Sequence, residues 1–122
     1  MQIVVLEDDA DAREALAALL SLDRHEVRQA HDRASFLRAT SDLRSQAVIF
    51  DLNLNSEADG LSLAMDYQQR RQDAGLAPAR LIALSGSADQ ARIIAATAAP
   101  FPVHHRLAKP AEHAAILAAL GV

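Results

Sequence analysis

The 122-residue sequence contains no cysteine and no tryptophan, and its aromatic content is three phenylalanines and one tyrosine. Without cysteine there is no disulfide framework, no thiolate nucleophile and no cysteine-held metal, a usage that fits a reducing compartment and makes the cytoplasm the expected location. The near-absence of aromatics, against abundant alanine, predicts a core of small aliphatic side chains and closely packed helices. No apolar run approaches the roughly 20 residues that cross a bilayer. The start of the chain, Met1 and Gln2, then four apolar residues, then Glu7, Asp8 and Asp9, lacks the basic opening and apolar stretch of a signal peptide. A soluble protein with no membrane partner is expected. There is no positive excess either: the formal net charge is -4, which disfavours broad electrostatic binding to nucleic acid or anionic lipid. Repeats, low-complexity tracts and linkers are absent, and the length suits one domain over residues 1–122, with no output domain.

What is present is an alternation of two hydrophobic periods. Ile3 to Leu6 is a continuous apolar run that stops at three acids, as a strand buried on both faces would. Ala12, Ala15, Leu16, Leu19 and Leu20 then recur at helical spacing. The same pairing recurs as a half-polar strand at His25 to Ala30 with a helix at Ser35 to Leu43. A strong strand at Ala47 to Leu52 precedes a helix over about Leu61 to Gln72. Leu81 to Leu84 leads to an alanine-rich helix at Ala88 to Ala99, and Val103 to Ala108 to a last helix opened by Lys109 and Pro110. Five such pairs predict a parallel sheet covered by helices on both faces, and in such folds the ligand site lies beyond the carboxyl ends of the strands.

Those ends carry Glu7, Asp8 and Asp9, then Asp51, Ser85 and Lys109. Crowded carboxylates repel one another and raise each other's pKa unless a cation binds among them. Magnesium, which takes a few carboxylate oxygens plus water and phosphoryl oxygens, suits such a cluster. Lys109 offers a positive charge and Ser85 a hydroxyl donor to a phosphoryl group, which leaves Asp51 as the nucleophile. Each residue alone has a simpler explanation: Asp8 or Asp9 as a helix cap, Ser85 as a turn residue, Lys109 as an exposed residue at a helix start. Their joint placement at one sheet edge favours the chemistry.

The stretches IVVLEDDADAREAL, VIFDLNL, LIALSG and RLAKP, in this order and with helices between them, resemble the receiver domain of two-component response regulators over essentially the whole chain. The resemblance implies an α/β, doubly wound (βα)5 flavodoxin-like sandwich with strand order 2-1-3-4-5. It implies that Asp51 accepts a phosphoryl group from a sensor histidine kinase or a histidine phosphotransfer protein, changing contacts with a downstream protein. Asp8 and Asp51 would bind Mg2+ directly, Glu7 through water, and the backbone carbonyl of Asn53 would complete the protein ligands. Arg13, five positions after Asp8, marks Glu7 and Asp8 as the acidic pair and leaves Asp9 outside the pocket. Ser85 and Lys109 would contact the phosphoryl oxygens. Such a module is not an enzyme in the ordinary sense, since it catalyses only its own phosphorylation and dephosphorylation, and a weak homodimer is compatible with the family.

Departures from the family pattern fall at four places, one of them the Ala99, Pro100, Phe101 and Pro102 segment that replaces the small Gly-Ala pair common before strand five. Asn55 stands where proline is usual, Gly60 lies nine rather than eight positions after Asp51, and Arg106 occupies the position, three before the lysine, that is often aromatic. These keep open a degenerate receiver that acts as a phosphorylation-independent interaction module. An aspartyl phosphohydrolase would want an acid where Asn53 stands, and a flavin mononucleotide binder would not place Glu7 and Asp8 beside its phosphate. His104 and His105 read as surface residues, His113 as a packed core or interface residue on the apolar side of the last helix, and Arg70 and Arg71 as a solvated helix end.

Overall fold

The apolar run after Met1 and Gln2 becomes strand β1 (Gln2–Leu6), in which Ile3 to Leu6 are fully buried. The computed structural model describes residues 1–52, 60–86, 99–109 and 111–121. After β1 come α1 (Ala10–Leu22), β2 (Glu26–Ala30), α2 (Arg33–Ala39), β3 (Ala47–Asp51), α3 (Gly60–Asp73), β4 (Arg80–Ser85), β5 (His105–Ala108) and α4 (His113–Leu120). All strand pairs are parallel and the order is β2-β1-β3-β4-β5, the doubly wound flavodoxin-like topology that the resemblance implies. The helix expected over 88–99 lies, except for Ala99, outside the described residues. Among the described residues no helix is long and apolar enough to cross a membrane.

Alternation along the strands divides the core between the two sheet faces. Val4, Leu6, Val48, Phe50, Leu81 and Ala83 pack with Phe36 of α2 and Leu63 and Tyr67 of α3. Ile3, Val5, Ala47, Ile49, Ile82 and Leu84 pack with Leu20 of α1 and Ile116 and Leu120 of α4. Both faces are thus covered, which is why β1 and β3 read as unbroken apolar runs rather than alternating ones. The few aromatics are concentrated on one face, where Phe36 and Tyr67 meet edge to face, with ring centres 6.3 Å apart.

Several boundaries differ from the sequence expectation, three of them through a local hydrogen bond. β2 starts at Glu26 because the His25 N–H closes the end of α1 on the Leu20 carbonyl. α2 stops at Ala39 rather than running to Leu43: the Thr40 hydroxyl bonds back to the Phe36 carbonyl, and Leu43 takes a left-handed φ of 59°. The last helix begins at His113 rather than at Lys109, whose N–H extends the sheet by donating to the Ser85 carbonyl at 2.8 Å. Pro110 lies outside the described residues.

Arg70 and Arg71 are not a solvated end. Arg71 is buried, and its guanidinium donates to the carbonyls of Leu43, Ser45 and Ala77, while Tyr67 donates its hydroxyl to Ser45 O at 2.6 Å. Arg70 pairs with Asp66 and reaches the Thr40 hydroxyl. These donors satisfy carbonyls of the turns beneath the sheet that would otherwise be buried unpaired. The amino end of the sheet is thereby tied down, and the carboxyl end is left for chemistry.

Candidate functional site

At the carboxyl edge, strands β1, β3, β4 and β5 end side by side, so residues far apart in sequence meet because the parallel register aligns their ends. The Glu7 N–H still bonds to the last carbonyl of β2, Ala30 O, at 3.0 Å, and Leu52 N–H bonds to Leu84 O at 3.0 Å. Glu7 and Asp51 are each 3% exposed and Ser85 is 7% exposed, so the backbone delivers two carboxylates into a nearly closed space. Asp8 is half-buried beside them. One carboxylate oxygen from each of Glu7, Asp8 and Asp51 lies within 4.8 Å of the others.

Lys109 links the two buried acids. Its Nζ donates to Glu7 Oε1 and to Asp51 Oδ2, both at 2.7 Å. The other Glu7 oxygen, Oε2, accepts from the Asp8 N–H at 3.0 Å. Two carboxylates against one ammonium leave a surplus negative charge, and Glu7 takes up the consequence. Burial first, then its hydrogen bond with Asp51, push the Glu7 carboxyl up to about 7 against the opposing pull of Lys109. For Lys109 burial works downward, but the bonds to Asp51 and Glu7 outweigh it and hold the ammonium above its ordinary value.

A raised carboxyl pKa gives a stability contribution that is complete below the ordinary value of 4.5 and is lost as pH rises through about 7. In magnesium-free buffer the melting temperature of the wild-type chain is therefore expected to fall between these pH values relative to Glu7→Gln, which has no proton to release there. Parallel melting curves for the two proteins would show that Glu7 ionises without cost to the fold.

The remaining sequence candidates divide. Asp9 is the N-cap of α1, its Oδ1 accepting from the N–H groups of Asp11 and Ala12, which places it outside the cluster as expected. Asn53 and Asn55 lie outside the described residues. Arg106 is exposed on β5. His104, expected at the surface, also serves the sheet: its Nδ1 accepts from Leu81 N–H at 3.0 Å. Burial, then Arg80 and His105, lower its pKa. His113 is not packed in the core but lies half-exposed and 2.7 Å from Asp23 at the end of α1.

Two residues near the cluster were not singled out as functional from sequence. Arg13 Nη1 donates to the Glu7 carbonyl at 3.0 Å, a contact hinted at only by its fixed distance from the acids. Gly60 opens α3 against the Asp51 backbone so closely that a Cβ would lie 1.9 Å from Asp51 O. A glycine where a helix begins is the only signal the sequence offers for that approach.

The groups assembled at this edge can hold a divalent cation and a phosphoryl group and can supply a carboxylate nucleophile. A family model described as the response regulator receiver domain matches residues 3–121. No curated protein matches the sequence. Among solved structures the fold is similar to the receiver domain of NtrX from Brucella abortus, with 27% identity, 98% of each chain covered and a TM-score of 0.79. It is also similar to a response regulator protein from Burkholderia pseudomallei crystallised with a phosphorylated aspartic acid, a calcium ion and citrate. That match has 30% identity, covers 98% of this chain and 65% of that one, and has a TM-score of 0.81. A receiver domain protein from Clostridium thermocellum, 20% identical over 98% of this chain and 90% of that one, shares the fold with a TM-score of 0.81.

Proposed function

This chain belongs to the response regulator receiver domain family, a family of two-component signalling, and from that premise we propose that it is a magnesium-dependent phosphoacceptor whose nucleophile is Asp51. The observation that carries the reading is the Lys109 ammonium, held at 2.7 Å from both Glu7 and Asp51 with Asp8 beside them. Two buried acids share that ammonium and a third lies beside them, an arrangement suited to receiving a further cation.

The acid set fits Mg2+: carboxylate oxygens of three acids lie within reach of one another, and the two buried ones share the Lys109 ammonium. Asp8 and Asp51 would hold the ion directly, Glu7 through water, with the Asn53 carbonyl as the further ligand. When bound, the ion neutralises phosphoryl oxygens in the transition state. A carboxylate oxygen of Asp51 attacks the phosphorus of a phosphohistidine. The P–O bond forms as the P–N bond breaks, and the imidazole leaves with the bonding electrons and takes up a proton. Lys109 turns from the Asp51 carboxylate to a phosphoryl oxygen, and the Ser85 hydroxyl donates to another. Such a transfer asks the protein mainly for position and charge.

The donor is a sensor histidine kinase or a histidine phosphotransfer protein, and the product state is read by a downstream protein. A second reading, a degenerate receiver that binds its partner without phosphorylation, is favoured by one feature: Arg106 lies exposed on β5 where the family often carries an aromatic ring. Intact-mass spectrometry after incubation with acetyl phosphate separates the two. A gain of one phosphoryl group that requires magnesium is expected. No gain by a folded protein that binds magnesium would replace the phosphoacceptor with the interaction module.

A further inference from the structure

The peptide unit between Glu7 and Asp8 is held at both ends. Its carbonyl accepts from Arg13 Nη1 at 3.0 Å, and its N–H, which belongs to Asp8, donates to Glu7 Oε2 at 3.0 Å. In a trans peptide the C=O and N–H point in opposite directions. Fixing the carbonyl toward Arg13 therefore aims the Asp8 N–H at the carboxylate cluster. Arg13 is anchored in the first turn of α1, where its own N–H bonds to Asp9 O at 2.9 Å, and its Nε donates to Gln29 Oε1 on β2 at 3.2 Å. The rigid guanidinium fork thus spans from α1 to the end of β1 and to the neighbouring edge strand.

We infer that Arg13, braced by Gln29, is a positioning residue for the cation site: it fixes the plane of the Glu7–Asp8 peptide and with it the direction in which both acids leave the backbone. The inference rests on the magnesium site proposed above. Charge and positioning make opposite predictions here. Removing a cation close to a group of acids strengthens cation binding if Coulomb attraction alone operates. Removing a hydrogen bond that stands one step behind the metal ligands weakens it, by about ten-fold or more.

The test is calorimetric titration with magnesium chloride of the wild-type chain, Arg13→Ala, Arg13→Lys, Gln29→Ala and the double alanine variant, each with a magnesium-free melting curve. Arg13→Ala is expected to raise the Kd about ten-fold. Arg13→Lys should recover part of the loss through a single donor to the Glu7 carbonyl. Gln29→Ala should cost less, and its effect should shrink in the Arg13→Ala background because the two act through one contact. Tyr67→Phe, which removes a buried hydrogen bond to Ser45 O on the far side of the fold, reports what lost stability alone does to the Kd. Wild-type binding with an unchanged or lower Kd in Arg13→Ala overturns the inference and leaves the magnesium site standing. So does a rise no larger than Tyr67→Phe gives at equal loss of melting temperature. Failure of the wild-type chain to bind magnesium overturns both readings.

Discussion

Asp51→Asn is expected to abolish the magnesium-dependent gain of a phosphoryl group from acetyl phosphate and, in magnesium-free buffer, to raise the melting temperature. The first effect follows from nucleophilicity. An amide oxygen carries no full negative charge to attack phosphorus, and Glu7, the other buried acid among the described residues, has its two oxygens engaged by Lys109 and the Asp8 N–H. The second follows from charge. With Asp51 neutral, Glu7 and Lys109 remain as a matched pair at 2.7 Å, and the cause that holds the Glu7 carboxyl up to about 7 is reduced to burial. The variant should lose at the same time most of the melting-temperature rise that magnesium gives the wild-type chain, since a ligand stabilises only the folded state that binds it. Intact mass and two melting curves, with and without magnesium, check all three points. A phosphoryl group retained by Asp51→Asn would place the acceptor elsewhere. A variant less stable than wild type without magnesium would mean that the Lys109–Asp51 pair outweighs the repulsion between the acids.

Gly60→Ala carries the other large effect. The added Cβ would stand 1.9 Å from the Asp51 carbonyl oxygen, 3.0 Å from its carbonyl carbon and 3.3 Å from Phe50 Cδ2. Two of these neighbours are backbone, and the strand that carries them is fully buried and bonded on both sides to β1 and β4. A flexible side chain could swing away from a methyl group, but β3 cannot. Overpacking of this kind costs about 3 kcal/mol when the surroundings cannot yield, which corresponds to a drop in melting temperature on the order of 10 °C. Because the atom displaced belongs to Asp51 itself, the rate of phosphorylation by acetyl phosphate should fall in the fraction that remains folded. Chemical denaturation measures the first effect and a time course of intact mass the second. Wild-type stability would show that the start of α3 can shift away from β3 at little cost.

Much of this arrangement could be read along the chain because a parallel sheet buried on both faces imposes a simple code: an apolar run, then a functional residue at its end. Ile3 to Leu6 before Glu7, Ala47 to Phe50 before Asp51, and Leu81 to Leu84 before Ser85 follow it directly. The same code fails at β5, where burial alternates along His105–Ala108, with His105 and Leu107 half-buried and Arg106 and Ala108 exposed. It fails again at element ends, since Thr40 and Leu43 stop α2 through one hydroxyl bond and one left-handed residue, neither of which changes the hydrophobic period.

The fold class, the set of strand-end residues and the role of Asp9 as one of two candidate caps are written in the chain itself, because periodicity and capping act over a few residues. Packing settled which acid caps and which joins the cluster, that Lys109 bridges Glu7 and Asp51 across 102 and 58 positions, and that Arg71 is buried. It also decided that the Glu7 carboxyl is pushed up to about 7. These depend on how far water is excluded and on which charges are brought together, and both are set when the strands align rather than by any neighbour in the chain.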